Sequence, residues 1–260
     1  MIRIIKKIIL SALSILGISF LIWMVLLLNP NLSYANQTQI ENVTVFHNNK
    51  LEKGTESIIR NALSIIKNSE IFDKNLEIQL CLNDDKIYPN LHPFAGATAY
   101  AFLNKTVIYA SKPSFRNNYA EFTWEINNHE VRKWNLTSLL AHEFTHNVQH
   151  NHNPKYYIKS TLGNQNWKLE GHAEYIARQF KNDVKLKFKI QKYLTEENKE
   201  HVGIPVFKLQ DGTIQSLSYF KYALVVQYLM EEKKLNFDEI CKLEIVLDDL
   251  YKEMIDWSKK

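Results

Sequence analysis

An α+β domain carried behind one membrane-spanning helix is the fold class that this sequence predicts, and three observations carry it. Residues 8–28, IILSALSILGISFLIWMVLLL, form an uncharged run long enough to cross a bilayer as a helix. Residues 42–126 hold short segments with strand-like alternation and β-branched or aromatic enrichment. From residue 136 onward the helical period dominates.

The N-terminal run is preceded by Arg3, Lys6 and Lys7, so the positive-inside rule predicts a cytoplasmic N-terminus and a single pass, with the rest of the chain outside the cytoplasm. A buried core helix is the weaker reading, because the run is apolar all round. Ser33-Tyr34-Ala35 has small residues where a signal peptidase reads, which would give secretion after cleavage near Ala35. The apolar run is longer than an ordinary signal-peptide core of about 7–15 residues, which favours an uncleaved anchor. Residues 1–35 are therefore expected to be a signal-anchor and tether, and residues 36–260 a folded domain.

Within that domain, the Asn-rich stretch 29–42 reads as a tether and NVTVFH (42–47) as a first strand. Residues 53–68 place Ile58, Ile59, Leu63, Ile65 and Ile66 on one side of a helix. LEIQLCL (76–82) alternates as a second strand. GATAYAFLNKTVIYAS (96–111) reads as a hairpin turning at Asn104-Lys105, and FTWEI (122–126) as a further strand. Helices are expected at 137–150, 167–181, 217–233 and 237–257. VKLKFKIQKYL (184–194) alternates Lys with apolar residues. An anionic-lipid contact would use such a stretch, but a solvated amphipathic face explains it more simply.

Composition is that of an ordinary globular chain, with 45% hydrophobic and 23% charged residues. The net charge of +4 includes Arg3, Lys6 and Lys7, so residues 36–260 are near neutrality and nothing points to nucleic acid as a partner. Cys81 and Cys241 are read as small buried hydrophobes, although outside the cytoplasm they could pair. Five N-x-S/T sequons begin at Asn31, Asn36, Asn42, Asn104 and Asn135 and matter only in a glycosylating host.

The stretch AHEFTHNVQHNH (141–152) carries the chemistry. On a helix, Leu140, Phe144 and Val148 share a stripe that can pack on a core, with Ala141 beside it. His142 and His146 then lie four apart on the other side, with Glu143 one step around. That spacing aims two imidazoles at one metal and sets a carboxylate beside it as a general base. A catalytic zinc needs a third protein ligand, and two residues compete. His152 sits at the spacing of HExxHxxGxxH, but Gln149 stands where that pattern needs Gly, and neither Met230 nor Met254 suits a Met-turn. Glu170 lies in WKLEGHAEYIARQF (167–180), where Glu174 shares its helical face. One carboxylate could ligate the metal and the other could accept the remaining N–H of a ligand histidine.

HEFTH followed by WKLEGHAEY resembles the gluzincin pattern, HExxH then EGxAxY, and most closely the thermolysin-like peptidase MA group. The resemblance is specific over about residues 136–180 and looser over 96–111 and 217–230. It implies a zincin (thermolysin-like) fold with an N-terminal mixed sheet and hairpin, an active-site helix and a C-terminal helical lobe. It further implies that His142, His146 and Glu170 bind Zn2+ and that Glu143 is the base, with Glu174 supporting a ligand histidine.

The expected activity is hydrolysis of peptide bonds in a peptide or protein substrate, by a membrane-anchored enzyme acting outside the cytoplasm. Gluzincins use a Tyr or His from the helical lobe against the oxyanion. The candidates are Tyr219, ten residues before Leu229 of a YL pair, then Tyr222, then His201. ATAYAF (97–102) resembles the edge strand that holds extended peptides, and the absence of an acidic residue in GATAY tilts the expectation towards an endopeptidase rather than an aminopeptidase. Rival readings are a non-catalytic zinc-binding or protein-binding module on the same fold, a metal-free adhesin or assembly factor, and a metzincin-type site with His152 as third ligand. A structural metal site would have no use for Glu143, which argues against the first of these.

Overall fold

The computed structural model describes residues 2–82, 88, 91, 99–108, 112–123, 131–163, 165–178, 185–199, 205–209 and 212–260, and it is a mixed α+β structure preceded by one apolar helix. That helix, α1 (Ile2–Leu28), contains a span, Ile9–Leu28, of mean hydropathy 2.4 with none of its window buried. It is long and apolar enough to cross a membrane or to serve as a signal sequence.

A five-stranded sheet comes next, built from β1 (Asn36–Ile40), β2 (Val43–His47), β3 (Ile78–Cys81), β4 (Ala99–Phe102) and β5 (Lys105–Ile108) in the order β1-β2-β3-β5-β4. The three central strands are parallel, and both edge strands run antiparallel to their neighbours. β1 corrects the expectation of a tether through residue 42. Asn36–Ile40 pairs with β2 from Asn36↔His47 to Ile40↔Val43. Its side chains are mostly exposed, as on a solvated edge strand, so the segment shows none of the alternation that marks a half-buried one. The chain joins the domain even earlier: Tyr34 is buried with Phe46, Tyr88 and Val107, and its hydroxyl donates to Leu82 O at 2.8 Å.

The hairpin turns at Leu103-Asn104, one residue earlier than expected, since Phe102 pairs with Lys105 and Leu103 takes φ +56°. The Asn147 side chain explains its placement. Its Nδ2 donates to Leu103 O (2.9 Å) and Lys105 O (3.3 Å), while its Oδ1 accepts from Thr106 Oγ1 (2.8 Å). A fully buried amide on the helix that carries the histidines thus holds the edge hairpin against that helix.

A second sheet of β6 (Lys112–Ser114), β7 (Tyr119–Thr123) and β8 (Val131–Asn135) is antiparallel. The expected strand FTWEI overlaps β7 at Phe122 and Thr123, and its remaining residues lie outside those described. β8 runs straight into α3 (Leu136–His152), and Asn135 Oδ1 caps that helix by accepting from Ser138 N at 3.0 Å. With α2 (Thr55–Ile66) already formed, the first core closes as sequence periodicity requires. Ile58, Ile59, Leu63 and Ile66 share one buried cluster with Val43, Val45, Ile78 and Leu80 of β2 and β3 and with Leu140, Phe144 and Val148 of α3. Ile65 is only partly buried.

The remaining elements are α4 (Pro154–Thr161), α5 (Asn166–Arg178), α6 (Leu186–Glu197), β9 (Val206–Lys208), β10 (Ile214–Ser216), α7 (Leu217–Gln227) running into a π-turn at Tyr228–Glu232, α8 (Phe237–Lys242) and α9 (Leu247–Ser258). α6 buries Leu186, Ile190 and Tyr193 of the Lys-rich stretch in a second core with Leu224, Val225 and Met254. The single helix expected over 237–257 is two helices. Lys168, buried, donates from Nζ to Cys241 O (3.3 Å) and Leu243 O (2.5 Å), and Leu243 turns extended at φ −62°, ψ 126°. A cation on the last carbonyls of α8 satisfies that helix end and stops it. Cys81 and Cys241 are both free and buried.

Candidate metal centre

α3 sends its apolar stripe into the first core and leaves His142, Glu143 and His146 on a cleft of about 650 Å³. Across the cleft stands α5, whose close approach to α7 depends on Gly171. A Cβ there would fall 2.6 Å from Tyr222 O and 2.8 Å from Val226 Cγ2, so only glycine lets the two backbones pack at this distance. That packing sets Glu170 opposite the histidines and brings Tyr219 of α7 over His142, with ring centroids 5.8 Å apart and planes 14° from parallel.

Three donor atoms converge. His142 Nε2 is 3.2 Å from Glu170 Oε2, His146 Nε2 is 3.3 Å from that same oxygen, and the two Nε2 atoms are 3.1 Å apart. Tetrahedral zinc with ligand bonds of about 2.0–2.1 Å sets its ligand atoms roughly 3.4 Å from one another, so the triangle has the size of one face of that tetrahedron. The other ring nitrogens show how the triangle could hold a cation. His142 Nδ1 lies 2.9 Å from Glu174 Oε2 and His146 Nδ1 lies 2.8 Å from Gln149 Oε1. Gln149 Nε2 donates to Leu169 O at 2.9 Å, so its oxygen faces His146 as an acceptor. Both Nδ1 atoms therefore carry the proton, and both Nε2 lone pairs point at a carboxylate oxygen. Three electron-rich atoms at contact distance repel unless a cation sits among them.

Electrostatics agrees. Burial would raise Glu170, but His146 and His142 outweigh it and hold its carboxyl far below the usual range. Burial opposes charge on His142 as well, yet its hydrogen bonds to Glu170 and Glu174 raise it well above an ordinary histidine. Glu174 is pulled down to about 2 against its burial, by Arg178 and His142. Its other oxygen accepts from Arg178 Nε and from Gln215 Nε2 at 2.6 Å. Glu143 is buried at the cleft, and burial pushes its carboxyl up.

His142, His146 and Glu170 form the one group of metal-binding geometry among the described residues. His152 stands apart, with Nε2 2.8 Å from Asp238 Oδ1. His150 packs edge-on to Tyr157. Tyr219 lines the cleft, whereas Tyr222 does not and instead offers its backbone to Gly171. His201 lies outside the described residues. Sequence reasoning missed Gln149, Gln215, Arg178 and Tyr157, the last of which also lines the cleft. Gln149 was readable, because it sits three residues after His146 on the same helix face. Gln215 reaches Glu174 from a strand 41 residues away, and no local pattern announces that. Gln149→Leu is expected to weaken zinc binding by about 10–100-fold with the fold intact, since it frees the His146 ring to turn and change tautomer. Competitive chelator titration checks it.

Residues 94–256 match the sequence model of a peptidase family described as collagenase, a zinc metallopeptidase family. The matched span includes β4, α3, α5 and α7 and excludes α1. No curated protein and no solved structure matches the chain.

Proposed function

The chain belongs to the collagenase family of zinc metallopeptidases, and from that premise we propose an endopeptidase of thermolysin-like zincin fold, anchored by α1 with residues 36–260 as its catalytic domain outside the cytoplasm. His142, His146 and Glu170 are the zinc ligands, and Glu174 and Gln149 fix the two imidazoles. The observation that carries this reading is the triangle of Nε2, Nε2 and Oε2 atoms whose outer nitrogens are already committed to acceptors.

Zinc bound there supplies a Lewis acid for the scissile carbonyl and lowers the pKa of a water. Glu143, buried on the cleft beside His142, would serve as the base that accepts a proton from the attacking water and passes it to the leaving amine. Tyr219 donates its O–H to the oxygen that gains charge. The negative charge of Glu170, then burial, pushes the Tyr219 phenol up, which favours its protonated, donating form. β4 stands at the sheet edge with Ala99, Tyr100 and Ala101 on the cleft, and such an edge holds an extended peptide through backbone hydrogen bonds.

A peptide-library digest by the full chain, with and without a chelator, tests the reading. Internal cleavage that stops on chelation and resumes with zinc is expected. Release of single N-terminal residues would instead make it an aminopeptidase, and no zinc-dependent cleavage would end the proposal. In that digest Tyr219→Phe is expected to lower kcat by about 10²–10³-fold with little change in zinc content.

A further inference from the structure

Leu169 and His172 lie three apart on α5 and so share one helical face, and Gln149 of α3 reaches it. All three residues are buried. Gln149 Nε2 donates to Leu169 O at 2.9 Å and lies 3.1 Å from His172 Nδ1. A backbone carbonyl only accepts, so the nitrogen of the amide is the atom on that side, and its second N–H faces the ring. His172 Nδ1 is therefore the bare, accepting nitrogen, and the ring proton sits on Nε2. That Nε2 is buried without a partner among the described residues. The bond to Gln149 is thus the polar contact that orients the ring, and Phe237 of α8 packs beside it with centroids 4.2 Å apart.

The two ligand histidines are held by different chemistry. His142 Nδ1 faces Glu174, a carboxylate that accepts whichever way it turns. His146 Nδ1 faces Gln149, an amide with one accepting end and one donating end. Turned over, that amide would present N–H to His146 Nδ1 and drive the imidazole proton onto Nε2, the atom that belongs to the metal triangle. We infer that His172 is a positioning residue for the metal centre: its Nδ1 and Leu169 O together hold the amide nitrogen of Gln149 on their side, which keeps the amide oxygen on His146 Nδ1 and the His146 Nε2 lone pair free for the cation. The inference rests on the zinc reading above. Turning the amide would set its oxygen against Leu169 O and the bare His172 Nδ1, two acceptors with no proton to offer it. A burial this deep also leaves no water to replace either bond, since Gln149 is 1% exposed and His172 0%. His172 therefore acts through Gln149, and it touches neither metal nor substrate.

Two substitutions separate this role from packing. His172→Leu keeps similar bulk and removes the acceptor, whereas His172→Asn is smaller but can place its Oδ1 where Nδ1 stands. In competitive chelator titrations of the full-length chain, His172→Leu is expected to weaken zinc binding by about 3–10-fold, a step below the loss of a partner that touches a ligand directly. His172→Asn is expected to stay within about twofold of wild type, because it restores an acceptor for the Gln149 amide. A residue that merely fills space gives the reverse order, since Asn leaves a cavity. Placed on Gln149→Leu, His172→Leu is expected to cost less than about twofold more, because the amide it acts through is gone. Wild-type affinity in His172→Leu, the reverse order of the two variants, or an equal loss in both backgrounds overturns the inference. Nitrogen NMR shifts of the His172 ring in the wild-type chain judge it with no variant and no zinc. An unprotonated Nδ1 is expected, and a proton on Nδ1 ends the proposal, because such a ring cannot accept from Gln149. A wild-type chain that binds no zinc counts against the metal-site reading, while the His172 tautomer still decides the hydrogen bond.

Discussion

A Glu143→Gln protein is expected to retain one zinc per chain and to lose about 10²–10⁴-fold in peptide hydrolysis, the usual worth of a positioned general base. The two halves of this outcome follow from different facts. Zinc is retained because Glu143 is not a member of the donor group: the converging atoms are His142 Nε2, His146 Nε2 and Glu170 Oε2, and both outer nitrogens are held by Glu174 and Gln149. Activity is lost because the amide keeps the shape and burial of the carboxylate but cannot take a proton. Glu143 lines the cleft one residue from His142, whereas the other non-ligand carboxylate there, Glu174, is already engaged by His142, Arg178 and Gln215. Metal analysis of the purified variant, beside its rate on a quenched peptide, reads both halves. Hydrolysis at the wild-type rate would remove Glu143 from the mechanism, and loss of zinc would mean that it is a ligand.

What the sequence revealed of this site was local. His142, Glu143 and His146 lie on one turn, and Glu170 and Glu174 on one turn of another helix, so helical arithmetic alone groups each set. The convergence of the two sets needs Gly171, whose missing Cβ lets α5 meet α7, and it was legible only through a resemblance that includes that glycine. Where the reading failed, the stabilising partner was distant. The break between α8 and α9 is set by Lys168, 73 residues from Cys241. β1 is held by its ladder to β2, and its polar exposed side chains carry no signal of it. The hairpin turn differs by one residue because Asn147, 44 residues from Leu103, takes the carbonyl there. Periodicity reports what an element buries, and it is silent on a single hydrogen bond from across the fold.

The sharpest division between the two candidate third ligands comes from removing each in turn. Glu170→Ala is expected to weaken zinc binding by at least about 10²-fold, beyond the 10–100-fold typical of losing an outer partner. His152→Ala is expected to leave affinity unchanged within about twofold. Removing Glu170 takes away the one anionic donor of the three and leaves two neutral imidazoles, with too few ligands for a catalytic zinc site. It also strands Asn166, whose Nδ2 donates to Glu170 Oε1. His152 contributes nothing to that triangle. It lies in the last turn of α3, beyond Gln149, and its ring is engaged with Asp238 on α8 and against Phe237. For His152 to replace Glu170, α3 would have to unwind after His146. That would break the Gln149 bonds to His146 and to Leu169 O and uncover Val148, which is 1% exposed in the core. Titrating both variants with a zinc-competing chelator decides the matter. Retention of zinc by Glu170→Ala together with its loss from His152→Ala would require that rearrangement and reverse the assignment.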